Sequence, residues 1–589
     1  MKYYPNLREL PTTREMIDVF RGYNHNLRIG DGEFYDMKNL SSVNYPVLST
    51  RPKRGVYATP AAPGGMIGKD TLCYVDNGNF VISGDRATQI VRMGLTVDKE
   101  PKTLISMGAY VIIMPDKKYI NIEEPSDYGS IEASATTSST VTLTLCKNDG
   151  TAFENAAVQA TAPDDPENMD LWIDTSSVPH ALKQYSTTSS MWISIASTYI
   201  KIHATGIGAD FAEGDGVSIS GITSPDLADL NSTTVIWSRG DDYIVVTGIL
   251  DRVTTQETPV TVTRKMPIMD FIIESKNRLW GCRYGTSLNG EIVNEIYASK
   301  LGDFRNWNSF MGISTDSWTA SVGSDGPFTG AITHMGFPIF FKEGCMHKVY
   351  GDSLPFGIQD TACRGVQKGC SRSLAIVNEV LYYKSRSAVC AYDGSLPVEI
   401  SSALGDEQYV GAVAGALGNK YYVSMSGMPG MTGTPGKNHL FVYDTLKGMW
   451  HREDDTCALD FCSCRGDLYY IDAEDKAIKS VLGSGALDTS PVKWMAETGV
   501  IGTDSPDKKY ISRIDVRMYL DIGARAFFYI QYDSNGAWEH IYTATGDRLR
   551  SFACPIRPQR CDHLRLRIEG EGNANIYSIC KTIEQGSDI

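Results

Sequence analysis

Short apolar segments separated by tight turns recur along most of the chain. The stretch TLCYVDNGNFVISGD, residues 71 to 85, contains an apolar strand, an Asn-Gly turn and a second apolar strand. The stretch TLISMGAYVIIMPDKKYINI, residues 103 to 122, repeats this form around Met107 and Gly108. Turns of Gly, Asn or Asp supply the positive φ that a tight β-hairpin needs. The pattern therefore predicts antiparallel hairpins rather than helices.

The same pattern returns between residues 270 and 481, where each unit adds an aromatic-rich strand such as residues 381 to 383. Units at a spacing of roughly 30 to 50 residues indicate radial repetition, and we expect a β-propeller of about six to eight blades. Buried tryptophans in such a fold pack between blades, with the indole N–H donating to the backbone. The tryptophans expected in this role are Trp280, Trp307, Trp318 and Trp450.

Three segments depart from the repeat. Residues 1 to 69 are rich in turn residues and are predicted to be an irregular N-terminal arm. Residues 125 to 265 show Thr- and Val-rich alternation and are predicted to be a small β domain inserted into a propeller of residues 70 to 124 and 266 to 489. Partner contact is the expected role of this insert. Residues 490 to 589 contain long alternating strands and are predicted to form a β-sandwich-like domain, so the whole chain is predicted to be all-β.

Composition narrows the classes of function. The chain has 589 residues, a formal net charge of −15 and no basic face in its sequence, which argues against sequence-specific DNA binding. Its apolar runs are shorter than a bilayer requires, so neither a membrane span nor a classical secretion signal is expected. The 13 cysteines lack paired spacing, which favours reduced and mostly buried thiols. Cys462 and Cys464 are close in sequence, but further ligands for a metal are not nearby.

Motifs that carry catalysis are weak in this sequence. It contains no phosphate-binding loop, no G-x-S-x-G turn and no H-E-x-x-H motif. The segment SVGSDGPFTG, residues 321 to 330, is similar to the Asp-bearing hairpin of sialidase-type blades, but it lacks the Thr-Trp ending and occurs once. The segment WHREDD, residues 450 to 455, can ligate a cation or protonate a substrate, although a solvated rim is the favoured interpretation. No catalytic, cofactor-binding or metal-binding residue is predicted, and the chain is expected not to be an enzyme.

Two clusters of basic residues stand out in this acidic chain. Clustered arginines predict contact with an acidic surface, either on a neighbouring copy or on another protein. The alternative is a set of separate, exposed strand positions. The predicted assembly interface consists of Arg51, Lys53, Arg54, Arg550, Arg557, Arg560, Arg565 and Arg567.

Several longer phrases of the chain together carry a resemblance to a known family. They are DFIIESKNRLWGC, IYASKLGDFRNWNSF, TDSWTASVGSDGPFTGAITHMGFPIFFKEGCMHKVYG, LFVYDTLKGMWHRED and YISRIDVRMYL. The stretch GYNHNLRIGDGEFYDMKNLSSVNYPVLSTRPKRG is similar to the opening of many such proteins. With the short blades and the inserted module, these phrases resemble the tail hub or nozzle proteins of short-tailed bacteriophages, also called tail tubular protein B or packaged-DNA stabilisation protein. The resemblance covers most of residues 20 to 589, but the insert is not matched strand for strand.

The resemblance implies a hexameric ring in the virion tail, below the portal and adaptor. The channel of such a ring conducts the genome, and its lower opening stays closed until DNA ejection. The implied partners are further copies of the chain, the portal-proximal adaptor, other tail proteins, and double-stranded DNA that passes without sequence recognition. The implied location is the virion tail after synthesis in the bacterial cytoplasm, with no cofactor. An acidic channel wall fits this role because it repels DNA phosphates, whereas a basic wall would retain them.

Two other functions stay open at the level of sequence. A baseplate, tail-tip or receptor-binding propeller would contact a host surface polymer through the insert, and exposure of Trp172, Trp192 and Trp237 would favour it. A glycan-active or other enzyme would require a pocket of Asp, Glu and Arg side chains at the mouth of the propeller. Formation of a closed ring distinguishes the first hypothesis from both alternatives.

Overall fold

The described part of the chain is built almost entirely of β-strands. The computed structural model describes residues 12–84, 87–153, 155–287, 290–428, 436–502, 509–556 and 559–585. Its helical elements are the short 3₁₀ turns Pro225–Leu230, Ser371–Ser373 and Ser402–Leu404. The predicted all-β class is therefore confirmed. None of the helices in these residues has the length and apolarity to cross a membrane.

The chain divides into two compact units. One unit contains the residues up to Lys102, the segment Phe341–Met346 and the chain from Thr361 onward. The other unit contains Thr103–Phe340 and His347–Asp360.

Four-stranded antiparallel meanders are the repeated element of the first unit. One sheet has the order Thr88–Val91, Asn79–Ser83, Leu72–Asp76, Pro63–Gly68. Another has the order Ala375–Val377, Val380–Lys384, Val389–Tyr392, Val398–Glu399. The predicted turn chemistry is present, since Asn77 (φ 45°) and Gly78 (φ 78°) form the two-residue connection of the first hairpin.

A five-stranded sheet of the same unit includes a strand from the N-terminal segment. Its order is Ala458–Cys464, Asp467–Asp472, Ile478–Ser480, Gly55–Ala58, Ala486–Leu487. Ile478–Ser480 would be an edge of the meander without Gly55–Ala58, so the N-terminal strand completes the hydrogen bonding of that sheet. A strand that arrives from the other end of the chain is a common way to close a propeller.

Two larger sheets combine N-terminal and C-terminal strands. The ten-stranded sheet has the order Tyr409–Leu417, Lys420–Gly427, Asn438–Asp444, Met449–Asp454, Gly22–Tyr23, Glu33–Lys38, Lys493–Thr498, Leu564–Glu571, Arg525–Tyr532, Glu539–Thr545. The seven-stranded sheet has the order Leu40–Ser41, Leu48–Thr50, Ala574–Gln585, Lys509–Leu520, Leu549–Cys554, with Thr12–Ile17 paired to Ala574–Gln585 and Arg560–Cys561 paired to Lys509–Leu520. The prediction of an irregular arm over residues 1 to 69 is therefore wrong for its described part. Several of its strands have two to four residues, and the six-residue strand Glu33–Lys38 lacks a regular alternation of buried and exposed positions. These strands exist because distant strands pair with them.

Alternation along the C-terminal strands positions the core of these two sheets. Val516 and Met518 share one face and are fully buried, as the period of two predicts. In the ten-stranded sheet, Leu564 and Leu566 of the strand Leu564–Glu571 are fully buried, whereas Arg565 between them is directed to the other face and pairs with Glu497.

The second unit contains further meanders of the same kind. One sheet has the order Thr103–Met107, Tyr110–Met114, Lys118–Asn121, Tyr128–Ser130. The next has the order Phe271–Ser275, Arg278–Thr286, Ile292–Ala298, Trp318–Ser321. A further sheet, Gly330–His334, Phe337–Phe341, Cys345–Tyr350, Gly357–Ala362, lies mostly in this unit. The repeated meanders belong to the predicted β-propeller fold class, and the number of blades stays a prediction.

The insert of the second unit has its own sheets and its own core. One sheet has the order Ala133–Thr136, Thr261–Arg264, Gly216–Ser220, Thr233–Val235. A second has the order Ser238–Gly240, Tyr243–Thr247, Tyr199–His203, Val141–Cys146, Thr254–Gln256. A third has the order Ala157–Gln159, Leu171–Asp174, Ala181–Ser186, Met191–Ser194. Leu143, Ile202 and Val246 are fully buried in one apolar cluster, which gives the insert an interior of its own.

Three of the four tryptophans predicted to pack between blades have the expected backbone partner. The indole N–H groups of Trp280, Trp307 and Trp450 donate to carbonyl oxygens at 3.2, 3.0 and 2.7 Å, and each side chain is at most 3% exposed. Trp318 is half-buried, with its ring centroid 5.9 Å from that of Trp280. Phe356, from the loop before the strand Gly357–Ala362, lies edge-on to both rings, so these aromatics pack between successive sheets.

Gly22 provides a test of how closely the N-terminal strand approaches its neighbour. Its φ is +84°, and a Cβ there would lie 2.3 Å from the carbonyl oxygen of Trp450. Gly418, in a hairpin of the same sheet, also has positive φ but has open space around it. We expect Gly418→Ala to lower the free energy of unfolding by about 1 kcal/mol and Gly22→Ala by at least about twice as much. Urea unfolding of both variants measures the difference, and equal losses would contradict the close approach.

Candidate functional site

The predicted basic segment at Arg51 and Arg54 lies against the charged end of the strand Met449–Asp454. Arg54 Nη2 is 2.8 Å from Glu453 Oε2, and Arg54 Nη1 is 2.8 Å from Asp454 Oδ2. Arg51 Nη2 is 3.5 Å from the same Asp454 oxygen. None of these four side chains is more than 15% exposed. The two arginines and two carboxylates therefore form a buried ion cluster, which we call the arginine–carboxylate cluster.

Neighbouring side chains fix the geometry of this cluster. Arg54 immediately precedes the strand Gly55–Ala58, so pairing of that strand sets the position of its side chain. Its Nη1 also donates to Thr456 Oγ1 at 2.7 Å and to the hydroxyl of Tyr470 at 3.2 Å. Arg51 Nε donates to Asn39 Oδ1 at 2.6 Å. Multiple acceptors compensate the arginines for the water that they lose on burial.

Electrostatics within the cluster favour the charged forms. Burial raises the pKa of Asp454, but the guanidinium groups of Arg54 and Arg51 outweigh burial and hold the pKa at about 2. Burial opposes the charge on Arg54, whereas Asp454 and Glu453 raise its pKa well above the usual value. Asp454 and Arg54 are therefore both charged near neutral pH.

A polar cleft of about 580 Å³ opens beside the cluster. The charged side chains on its other walls are Lys53, Asp472, Asp475, Lys479, Asp488 and Lys493. Lys479 Nζ bridges Asp472 at 2.8 Å and Asp475 at 2.7 Å. Of these residues, Lys53 was predicted from the sequence as part of the interface, whereas Asp472, Asp475, Lys479, Asp488 and Lys493 were not, because they lie more than 400 positions after Arg54 and carry no local motif. The interleaved charges suit a polar ligand or a polar protein segment better than a bare anion.

The strand segment WHREDD is not the solvated rim that the sequence favoured. His451 is 1% exposed and Glu453 is 3% exposed. Arg452 bridges Asp36 and Asp455, at 2.8 and 2.7 Å. The rim interpretation fails because N-terminal strands, invisible to local pattern, cover this segment and supply the opposite charges.

His451 does not act as a proton donor. Both ring nitrogens lack a hydrogen-bond partner among the described residues. Burial, with a smaller contribution from Lys420, lowers the pKa of His451 to about 3. The imidazole is therefore neutral near neutral pH.

The C-terminal arginines of the predicted interface divide into paired and exposed side chains. Arg565 Nη1 and Arg567 Nη2 lie 3.3 and 2.7 Å from the carboxylate of Glu497. Their guanidinium groups also lie over aromatic rings, 4.7 Å from Tyr35 and 4.1 Å from Trp538 respectively. They are thus engaged within the chain, as Arg51 and Arg54 are.

The other interface candidates differ from these four. Arg550 is 45% exposed and lies 3.9 Å from Asp547, and Arg560 is also exposed. Lys53 is half-buried and donates to the carbonyl of Thr489 at 3.3 Å. Arg557 lies outside the described residues. Intrachain carboxylates already satisfy the charges of Arg51, Arg54, Arg565 and Arg567, and their assembly role stays a prediction. Arg550, which is 45% exposed, stays available to a partner.

Metal-ligand geometry is absent from the described residues. No group of three or more His, Cys, Asp or Glu side chains there has the arrangement of a metal site. Cys462 and Cys464 are both buried on one side of their strand, and burial raises the pKa of each thiol. These two thiols therefore belong to an apolar core.

Two of the three tryptophans named for the insert are largely covered. Trp172 is 6% exposed and donates its N–H to the carbonyl of Gln159 at 2.9 Å. Trp192 is half-buried, with its ring edge-on to Trp172. Trp237 is 37% exposed. Only Trp237 among the three therefore presents a substantial indole surface.

Comparisons with known proteins return structural likenesses at low similarity. No protein-family model and no curated protein matches the sequence. BamB from Moraxella catarrhalis is 10% identical with a TM-score of 0.28, and the match covers 76% of this chain and 97% of that chain. An exo-β-1,3-galactanase from Phanerochaete chrysosporium is 9% identical with a TM-score of 0.22, covering 53% and 94%. A glycoside hydrolase family 43 arabinoxylan arabinofuranohydrolase from Bacillus subtilis is 8% identical with a TM-score of 0.17, covering 54% and 95%.

These likenesses correct one expectation. The sequence was expected to encode no enzyme, yet glycoside hydrolases recur among the matching structures, so that prediction is wrong as it stands. TM-scores of 0.28 and below carry no argument for a particular activity of this chain. Any activity has to be argued from this chain's own side chains.

Removing one buried charge from the arginine–carboxylate cluster should lower the stability of the fold strongly. We expect Arg54→Ala to lower the free energy of unfolding by about 3–5 kcal/mol, because Glu453 and Asp454 would lose a buried partner. Arg364→Ala is the matched control, since Arg364 and Glu399 are also 2.8 Å apart but are 56% and 42% exposed. Its expected loss is below about 1 kcal/mol. Urea unfolding of both variants measures the two free energies of unfolding. Similar losses in the two variants would contradict the view that burial makes the Arg54 ion pairs important for stability.

Asp454 also predicts how stability depends on pH. A carboxyl with a lowered pKa in the folded state stabilises above its unfolded pKa, and that contribution disappears as pH falls through the folded value. For Asp454 the window lies between about pH 4 and about pH 2, with a contribution of about 2 kcal/mol. We expect Asp454→Asn to be less stable than the parent at pH 6, with the difference shrinking toward pH 2. A difference that stays constant over this range would contradict the assigned ionisation.

Proposed function

We propose that this protein is a structural component of a bacteriophage tail, a nozzle or hub that forms a ring around the DNA channel. In this role it retains the packaged genome and guides its ejection. The observation that carries the proposal is the strand pairing of residues 22 to 55. This stretch resembles the opening of the phage tail proteins named above. This stretch pairs with Trp450, with Lys493–Thr498 and with Ile478–Ser480, so it fastens several sheets of its unit together. A protein that must keep its form under the pressure of packaged DNA needs such fastening.

The charge distribution supports the same proposal. The net charge is −15, and the two arginine clusters are largely neutralised by carboxylates within the chain. DNA carries a negative charge every ~1.7 Å of its axis, so an unpaired basic surface would bind it and slow its movement. An acidic protein whose arginines are already paired lets duplex DNA pass.

Arg550 is the side chain best placed to contact a neighbouring copy. It lies on the strand Leu549–Cys554 and is 45% exposed, and Asp547 at 3.9 Å only weakly compensates its charge. Exposed arginine is common in interfaces and finds many acceptors on an acidic partner.

A host-contacting tail-tip propeller is a second candidate, favoured by one sheet of the insert. Val158, Met191 and Ile193 on that sheet are 47%, 63% and 54% exposed. Val158 lies on one edge strand of the sheet, and Met191 and Ile193 share one face of the opposite edge strand. Exposed apolar side chains grouped on one strand face are typical of a surface that another molecule covers. Partner contact through the insert is therefore the distinguishing property of this candidate.

The assembly state tests the proposed function. We expect the full-length chain, mixed with portal and adaptor proteins, to form six-fold rings with an axial opening wide enough for duplex DNA. Native mass spectrometry and negative-stain class averages measure the mass and the symmetry. Arg550→Glu should lower the ring fraction at least about tenfold, because a charge reversal places like charges at the contact. Arg386→Glu, an exposed position on another sheet, is the control that should leave the ring intact.

A different outcome would move the conclusion to the second candidate. A persistent monomer or trimer that binds host cells, and loses binding when Met191 and Ile193 are changed to Ser, would contradict the nozzle proposal. Rings that form equally well with Arg550→Glu would retain the nozzle but remove Arg550 from its interface.

A further inference from the structure

A serine, a histidine and an aspartate form a hydrogen-bonded relay in the second unit. Ser324 Oγ lies 2.8 Å from His347 Nε2, and His347 Nδ1 pairs with Asp360 Oδ1. Ser324 follows the strand Trp318–Ser321, His347 lies within Cys345–Tyr350, and Asp360 lies within Gly357–Ala362. In the sequence, the segment around Ser324 stood out only for its similarity to the Asp-bearing hairpin of sialidase-type blades. The sequence pattern could not reveal the relay, because 23 and 13 residues separate its members.

The order of contacts around the imidazole sets its tautomer. An aspartate at Nδ1 favours the proton on that nitrogen, which leaves the lone pair of Nε2 facing the serine hydroxyl. The ring of His347 is fully buried, and Phe328 lies edge-on to it with centroids 6.0 Å apart. The imidazole is therefore held in one orientation, with its basic nitrogen on Ser324.

The serine sits in a supported but open turn. Asn294 Nδ2 donates to the carbonyls of Val322 and Ser324, at 2.9 and 2.7 Å, which fixes the backbone on both sides of the turn. A Cβ at Gly323 or at Gly326 would meet no atom within 4 Å, so there is space beside the half-buried Ser324. A small acyl group can approach the hydroxyl from this side.

We propose that Ser324, His347 and Asp360 hydrolyse small, exposed carboxylic esters, with Ser324 as the nucleophile. Ser324 Oγ bonds to the ester carbonyl carbon while His347 Nε2 takes the hydroxyl proton. The ester C–O bond then breaks, and the leaving alkoxide receives that proton as an alcohol. Water attacks the acyl-serine, its proton passes through Nε2 to Oγ, and a carboxylic acid is released. Asp360 is a positioning residue that stabilises the imidazolium; it is 58% exposed, so water weakens its effect and turnover is expected to be slow.

An alkyl fluorophosphonate tests the nucleophile in the full-length chain. Attack by Ser324 forms an Oγ–P bond, breaks the P–F bond and releases fluoride, while His347 accepts the proton. We expect one adduct, mapped by peptide mass spectrometry to Ser324, and none after Ser324→Ala. Ser321→Ala is the matched control, because Ser321 is exposed in the preceding strand and should leave labelling unchanged. No adduct at Ser324 in the parent protein, or labelling no faster than in urea-unfolded chain, would overturn the proposal.

The variant Asp360→Asn tests whether Asp360 positions His347 for the reaction or only links the loop to its sheet. We expect the labelling rate to fall about tenfold or more, and its midpoint with pH to move to lower pH, because the carboxylate no longer favours the imidazolium. A structural link alone would change the melting temperature without moving that midpoint. An unchanged midpoint would therefore remove Asp360 from the relay.

p-Nitrophenyl acetate serves as the substrate probe, and the absence of Ser324-dependent hydrolysis would contradict the esterase assignment. These outcomes are independent of ring assembly.

Discussion

The pairing of Arg54 with Glu453 and Asp454 is the constraint on which the first unit depends. It joins positions about 400 residues apart and lies directly before the strand Gly55–Ala58, which completes the five-stranded sheet. A buried ion pair is a weak source of stability compared with well-packed apolar side chains, but it strongly disfavours arrangements that leave one charge alone. Its main effect is therefore specificity: the N-terminal strand enters in the register that brings Arg54 to its carboxylates.

Pairing within the chain also shows what residues 22 to 55 do in the fold. Residues such as Gly22, Asp36 and Arg51 within this stretch contact distant strands rather than a solvent-facing site. Residues 22 to 55 therefore connect several sheets of the first unit to one another. Interaction surfaces are better sought at exposed positions such as Arg550 and the insert.

Two different uses of polar side chains coexist in the molecule. The arginine–carboxylate cluster is buried and multiply bonded, which suits a structural role. The relay at Ser324 stands beside open space, which suits chemistry. A scaffold of rigid sheets can carry such a site on a loop between strands without disturbing its own core.

The amino-acid sequence by itself determined the β class, the hairpin turns and the buried faces. Asn77 and Gly78 form a turn for local steric reasons, and Val516 and Met518 share a face because strands have a period of two. Only the tertiary structure decided the strands within residues 12 to 69, the burial of Glu453 and the meeting of Ser324 with His347. Those features depend on which distant strands pair. Local propensity and spacing do not encode that choice, because it is made by the burial and charge balance of the whole chain.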